Sequence, residues 1–259
     1  MRVSAKTEKM DELKREIGEC RKCRLSETRT NALCGEGKLD VALLLIAQAP
    51  GEKEDKTGRM FVGPSGKVLE DLLKGAGISR NDIYMTNLIK CMLPKYRKPK
   101  PDEIKTCAQY LDQEIELINP KVLVPLGYYA FKYVFERYGS GRYLQSKFST
   151  LCGKLSLLDK GKVFVLRHPS ALLHNPQLKP QMIKNYHRLG VFLRECKWYQ
   201  ACPMKRYYEQ GKLDRKWIEL YCRGYWKVCK RYKMEEKGEY HPDWMLPDGS
   251  MDEQLKGGG

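Results

Sequence analysis

Two short loops of the sequence carry side chains that could take part in bond cleavage. The first, residues 48–55, contains Glu54, a carboxylate that can position or activate a water molecule. The second begins at His168, directly after a run of apolar residues. Each loop is a weak signal alone, since acidic loop residues are usually solvated and a lone histidine is more often structural than catalytic. Their common position at strand ends favours a shared site.

A third polar position is Asn87, in the run Thr86–Cys91. An asparagine at the end of a strand can offer both a hydrogen-bond donor and an acceptor to the edge of a nucleic-acid base. The alternative interpretation is that Asn87 caps a turn.

Ten cysteines form a further pattern of candidate ligands. Cys20 and Cys23 are separated by two residues, and Cys91 and Cys107 follow far along the chain. Four thiolates can bind either zinc or an iron–sulfur cluster, and the spacing does not distinguish them. A thioredoxin-like redox pair is the alternative for Cys20 and Cys23, but the strand and helix expected around such a pair are absent.

A second group of cysteines lies near the end of the chain and could form another four-thiolate site, for zinc or for iron–sulfur. Its members are Cys196, Cys202, Cys222 and Cys229. The alternative is a set of buried free thiols packed against the tryptophans of this region.

The elements that must position these residues follow from the apolar runs. Strands are predicted at residues 41–47, 82–88, 121–127 and 162–167. Helices are predicted at residues 7–18, with Thr7 as the cap, and at 67–74, 102–118, 128–138 and 181–196. The alternation of strands and helices predicts a three-layer α/β/α sandwich around a mostly parallel four-stranded sheet.

The length of 259 residues and the hydrophobic content of 42% allow one large domain, predicted at residues 1–196. Residues 197–259 are predicted to form a small module rich in cysteine and aromatic residues.

The 48 basic residues exceed the 32 acidic ones, which indicates a polyanionic partner such as nucleic acid, although a generally basic protein would look the same. No apolar run reaches the roughly 20 residues that span a membrane, and the first residues lack the apolar stretch of a signal peptide.

In combination, four features of the sequence resemble those of the iron–sulfur uracil-DNA glycosylases, often called family 4, over about residues 10–195. They are the run APGEKEDKTGRMFVGPSGKVLEDLL, the run TNLIKC, the spacing of the first four cysteines and the run HPSALL. The resemblance implies a DNA-repair hydrolase with a [4Fe–4S] cluster on Cys20, Cys23, Cys91 and Cys107. It also implies single- or double-stranded DNA containing uracil as partner, a monomer, and a cytoplasmic, nucleoid-associated location in a prokaryote.

The resemblance further implies a role for each site residue. Glu54 would handle the water or stabilise the sugar cation, and His168 would donate to the uracil carbonyl. Phe61 would stack on the extruded base and Asn87 would bind its edge. The remaining implied contacts with substrate come from Gln48, Ala49, Gly51, Ser170 and Leu172.

Two positions differ from the family pattern. Ala47-Gln48 replaces a usual Gly-Glu pair, and Tyr96 replaces an asparagine. These differences leave open a glycosylase of the same fold that acts on another deaminated base. A non-catalytic iron–sulfur protein that binds uracil-containing DNA is a further alternative, although a binder has no need of Glu54, Asn87 and His168 together.

Overall fold

The computed structural model describes residues 3–139, 146–158 and 161–256. The chain forms two compact units, Met1–His187 and Arg188–Gly259. The division falls after His187, earlier in the chain than the predicted boundary after Cys196, and the roles assigned to the two domains stay predictions.

A six-stranded sheet forms the centre of the first unit. Its strands are β1 Glu36–Gly37, β2 Leu43–Ala47, β3 Ile83–Asn87, β4 Val122–Pro125, β5 Leu155–Leu158 and β6 Gly161–Phe164. They are arranged in the order β1-β3-β2-β4-β6-β5. The four predicted strands form the parallel centre, and the two short strands that the sequence did not predict are antiparallel edges.

The carboxyl ends of the parallel strands meet at one edge of this sheet. Every residue of β2 and β3 is buried, as expected for a parallel sheet covered on both faces. Ala47 pairs with Asn87 at the end of these two strands, and Leu126 forms a bridge to Leu166 just beyond β4 and β6. The two loops with candidate chemistry and Asn87 therefore start from the same edge.

Helices on both faces complete the three-layer α/β/α sandwich. They are α1 Val3–Glu19, α2 Glu52–Thr57, α3 Pro64–Gly75, α4 Pro101–Ile118, α5 Tyr128–Tyr138, α6 Phe148–Leu151, α7 Ala171–His174 and α8 Lys179–Phe192. The predicted cap at Thr7 is wrong, because α1 begins at Val3 and Thr7 lies inside it. The last predicted helix also ends earlier, at Phe192 rather than at Cys196.

The second unit contains α9 Pro203–Glu209, α10 Arg215–Trp217, a π-helix at Ile218–Tyr225 and α11 Lys230–Lys237. Its core is small and includes Tyr199, Met204, Tyr207 and Ile218. Within the described parts of the chain, none of the helices combines the length and the apolar character that a membrane crossing requires.

Candidate active site

The loop of residues 60–63, here called the platform loop, joins α2 to α3 and holds Phe61 in an uncommon conformation. Phe61 is buried and has a φ of +54°, a value that a bulky side chain adopts only when its surroundings fix it. The guanidinium of Arg80 donates to the carbonyl oxygens of both Met60 and Phe61. The backbone of the platform loop is therefore clamped, and the direction of the Phe61 ring is set.

Close packing of α3 against the platform loop gives a first prediction. A Cβ at residue 66 would lie 1.9 Å from the carbonyl oxygen of Phe61, so Gly66→Ala must push the loop away. We expect this substitution to cost about 1–3 kcal/mol of unfolding free energy, the usual range for overpacking. Gly75→Ala is the matched control in the same helix, because a Cβ there meets nothing within 4 Å. Equal melting temperatures for the two variants would contradict this account.

The carboxylate of Glu54 lies against the other side of the platform loop. Glu54 is only 6% exposed, and its Oε1 accepts a hydrogen bond of 2.8 Å from the backbone N–H of Gly63. A Cβ at Gly51 would stand 2.6 Å from Oε2, so the glycine leaves room for the carboxylate. The neighbouring Asp55 has a structural part, since it accepts from the backbone N–H groups of residues 30 and 31.

Asn87 is fixed from two directions at the end of β3. Its side chain is buried, and Nδ2 lies 3.4 Å from the sulfur of Met60 in the platform loop. The backbone carbonyl oxygen of Asn87 accepts a hydrogen bond of 2.9 Å from Nζ of Lys90. Lys90 is itself paired with Glu114 at 2.5 Å. This buried ion pair holds the turn that follows β3, and no sequence motif predicted it.

His168 contacts the platform loop through its ring. The imidazole stacks on the Phe61 ring with 6.1 Å between centroids and 27° between planes. Its Nδ1 accepts from the backbone N–H of Ser170 at 3.2 Å and lies 2.8 Å from the Ser170 hydroxyl oxygen. Because Nδ1 is an acceptor here, the proton of the neutral ring is on Nε2. Burial lowers the pKa of His168 to about 4, so the ring is a neutral donor at neutral pH.

The other residues predicted to bind substrate lie along the same loops. Gln48 is half-buried, and its carbonyl oxygen accepts from Ile89 N–H. Ala49 packs at the margin of the core, and Leu172 is half-buried in α7.

Tyr96, which differs from the family pattern, lies in another loop, after β3. It is 74% exposed with a φ of +54°, and its hydroxyl donates to Glu52 at 3.4 Å.

The structure thus brings Glu54, Asn87 and His168 to one place, each through a different part of the platform loop. Glu54 binds the backbone of Gly63, Asn87 contacts the side chain of Met60, and His168 stacks on Phe61. A carboxylate, an amide, a neutral imidazole donor and an aromatic face are the groups needed to bind a base and stabilise charge during bond cleavage.

Sequence reasoning missed the side chains that support this arrangement, namely Arg80, Lys90 and Glu114. Arg80 follows a turn-forming serine and has no motif around it, while Lys90 and Glu114 are separated by most of α4. Charged residues are also rarely fully buried. A buried pairing of this kind depends on the fold and leaves no local signal.

The first predicted cysteine quartet lines one cavity in the first unit. Cys20 and Cys23 follow α1, Cys91 follows β3, and Cys107 lies in α4. Arg29 Nη1 donates to the sulfur of Cys91 at 3.1 Å, and Lys90 N–H donates to the sulfur of Cys107 at 3.2 Å. Burial raises the pKa of the Cys107 thiol to about 12. Donors directed at sulfur suit a centre bound by thiolates, because thiolates are good acceptors.

The second predicted quartet also lines a single cavity, in the second unit. Within the described residues, no three His, Cys, Asp or Glu side chains are close enough together to hold one metal ion. This observation applies to both quartets.

Residues 34–189 match the family described as the uracil DNA glycosylase superfamily. The chain belongs to this superfamily. The resemblance predicted from the motifs is therefore confirmed at the level of the family.

Similar proteins of this superfamily come from archaea and bacteria. A type-4 uracil-DNA glycosylase of Sulfurisphaera tokodaii is 37% identical over 217 residues, which cover 80% of this chain and 93% of the relative. Those of Archaeoglobus fulgidus and Thermotoga maritima are 36% and 38% identical, covering 71% and 73% of this chain and 92% and 96% of each relative.

Proposed function

We propose that the chain removes uracil from DNA by hydrolysing the bond between the base and deoxyribose, leaving an abasic site. The observation that carries the proposal is the convergence of Glu54, Asn87 and His168 on the platform loop that holds Phe61. The similar proteins described above are type-4 uracil-DNA glycosylases, which supports the same activity.

The base is reached only after it leaves the duplex, because its glycosidic bond is shielded inside the stack. The Phe61 ring then offers a face on which the extruded uracil stacks, and the Asn87 amide binds its Watson–Crick edge. Met60 and Arg80 keep these two side chains in place before the substrate arrives. This preorganisation lowers the cost of aligning the base.

Breaking the bond leaves positive charge on the sugar and negative charge on uracil. His168 stabilises the negative charge on uracil, since its Nε2–H donates to a uracil carbonyl oxygen while Ser170 holds Nδ1. Glu54 stabilises the positive charge on the sugar with its buried carboxylate, which can also orient the attacking water. Gly51 leaves room for this carboxylate, and Gln48 and Ala49 would contact the base or the water.

The pH dependence of the rate follows from the lowered pKa of His168. With a pKa of about 4, the neutral Nε2–H form persists from neutral pH down and is lost only as the pH falls through about 4. The single-turnover rate of the wild type should therefore show no step near 6.5, the ordinary histidine value. A step near that value in the wild type that disappears in His168→Gln would contradict the assignment.

DNA binding is attributed to the basic loop of residues 95–100 and to the segment around α7. Lys95, Lys98 and Lys100 provide positive charge for phosphates, whereas the guanidinium of Arg97 is paired with Glu103. Ser170 would contact phosphate, and Leu172 would fill the gap left by the extruded base. We further propose that the chain acts on single- or double-stranded DNA. It would act as a monomer, in the cytoplasm near the nucleoid.

The residues around the first quartet fit a [4Fe–4S] cluster, with Cys20, Cys23, Cys91 and Cys107 as the thiolates that hold it. Four thiols line one cavity, and two N–H donors point at their sulfurs. The cluster would supply a structural cross-link between the end of α1, the turn after β3 and α4. Lys90 extends this link to the site, since its backbone N–H reaches Cys107 and its Nζ reaches Asn87.

Removing one of these thiolates tests the cluster. Cys107→Ser should release about four iron atoms per chain relative to the wild type and lower the visible absorbance of the brown protein. Cys152→Ser is the control, because Cys152 is half-buried outside both quartets. Unchanged iron content in Cys107→Ser, measured on protein purified without oxygen, would refute the ligand assignment.

Gln48 is the observation that favours a second candidate, a glycosylase of this fold with a different target base. It follows the last residue of β2 and stands in place of the family's carboxylate. Oligonucleotides that contain uracil, hypoxanthine, xanthine or a thymine mismatch distinguish the candidates. Preferential release of a base other than uracil would replace the first proposal.

The direct test of the proposed function uses an oligonucleotide with a single uracil. The strand is incubated with purified protein and then treated with alkali, which cleaves at abasic sites. The wild type should yield the cleaved strand. Tight binding of this DNA without any cleavage would instead identify a non-catalytic binding protein.

A further inference from the structure

The apolar core of the second unit, Arg188–Gly259, is small for a module that folds on its own. A few aromatic and aliphatic side chains fill it, among them Tyr199, Met204 and Ile218. Modules of this size usually need a disulfide, a metal or another cross-link. All four cysteines of this unit are free thiols, so disulfides do not provide that cross-link.

The four thiols converge from separate elements on one cavity of about 60 Å³. Cys202 and Cys229 precede the first turns of α9 and α11, and Cys222 lies in the π-helix. Cys196 is joined to this arrangement by its backbone N–H, which donates to the carbonyl oxygen of Cys222 at 2.8 Å. π-Helical turns are uncommon and occur frequently at functional sites.

Unsatisfied donors in the wall of the same cavity are an independent observation. Arg231 is only 2% exposed, and its Nη1 donates to backbone carbonyl oxygens that include those of Pro242 and Met245. Its Nε and Nη2 atoms have no hydrogen-bond partner among the described residues, and neither does Nε1 of Trp226. Buried donors are normally satisfied and buried charges paired. Both unpartnered groups lie in residues that line the cavity, so they suit an anionic group that accepts hydrogen bonds.

A single zinc ion fits these observations poorly. Zinc brings its thiolate sulfurs to about 2.3 Å from one point, and no three ligand side chains among the described residues approach that arrangement. In an iron–sulfur cluster, the irons and inorganic sulfides occupy the space between the thiolates. The cavity here is larger than the one of about 10 Å³ at the first quartet.

We propose that Cys196, Cys202, Cys222 and Cys229 bind a second [4Fe–4S] cluster, which cross-links the second unit. The cluster with its four thiolates carries net negative charge. It accepts hydrogen bonds at sulfur from the N–H groups of Arg231 and Trp226 that have no partner among the described residues, and it adds to the small apolar core.

Elemental analysis of the full-length protein, purified without oxygen, is the first test. We expect about eight iron atoms and eight sulfides per chain in the wild type, and no stoichiometric zinc. Cys222→Ser and Cys107→Ser should each lose about half of the iron, and Cys152→Ser should lose none. About four irons that disappear in Cys107→Ser but persist in Cys222→Ser would overturn the proposal. Stoichiometric zinc that disappears in Cys222→Ser would overturn it equally.

Trp226→Phe provides a test that does not remove a ligand and keeps an aromatic ring in the wall. Loss of an N–H···S hydrogen bond makes a cluster harder to reduce. The midpoint potential of one cluster should therefore fall in this variant, while that of the other stays unchanged. Identical potentials for both clusters in wild type and variant would contradict a cluster beside Trp226. Uracil release, measured on the same samples, reports separately on the function proposed for the first unit.

Discussion

Glu54→Gln should slow uracil release roughly a hundredfold or more, within the range found when a positioned acid or base is removed. Glutamine has nearly the same shape, and its Oε1 can still accept from Gly63 N–H, the bond that holds Glu54 at 2.8 Å. The fold and the platform loop are therefore retained. A neutral amide cannot stabilise the positive charge that forms on the sugar, so the loss falls on the chemical step.

The matched control for this change is Glu70→Gln. Glu70 is exposed on α3, and its substitution also removes one negative charge from the same unit. Single-turnover rates with excess protein separate the chemical step from DNA binding. Similar rates for Glu54→Gln and Glu70→Gln would remove Glu54 from the mechanism.

His168→Ala is expected to slow uracil release by roughly a hundredfold or more, since loss of one preorganised donor to a developing anion costs about 2.7–4 kcal/mol. The lost group is the Nε2–H of a neutral ring. Alanine removes the donor and also the stacking contact with Phe61. His168→Gln separates these effects, because its amide N–H can restore part of the donation.

His187→Ala is the control for His168, because His187 is an exposed histidine of α8. It should release uracil at the wild-type rate. Unchanged single-turnover kinetics in His168→Ala would refute the role of the donor. A variant that binds DNA weakly but excises at full rate when saturated would instead indicate that His168 serves binding alone.

Much of the fold was readable in the sequence because the central strands are short apolar runs. β2 and β3 are buried along their whole length, and such runs are typical of parallel sheets covered on both faces. The edge strands were not predicted. β1 has only two residues, and β5 is defined by its antiparallel pairing with β6. Strands of this kind depend on their partners rather than on a local pattern.

Motifs in the sequence predicted the site residues, but they did not predict the contacts that position those residues. The resemblance to the family singled out Glu54 as the catalytic carboxylate, but it did not predict what the neighbouring Asp55 does. The structure shows Asp55 accepting from the backbone of residues 30 and 31. The positive φ of Phe61 and the clamp by Arg80 depend on a contact across nearly twenty residues. Non-local contacts of this kind follow from the fold.

The most direct test of one shared site is a crystal structure of the protein with bound uracil. The account predicts uracil stacked on Phe61, with Asn87 and Nε2 of His168 at hydrogen-bond distances of about 3 Å from its edge and carbonyl oxygens, and with the Glu54 carboxylate on the side where the sugar would be. Uracil bound away from the platform loop, or these side chains pointing into separate regions, would contradict the account.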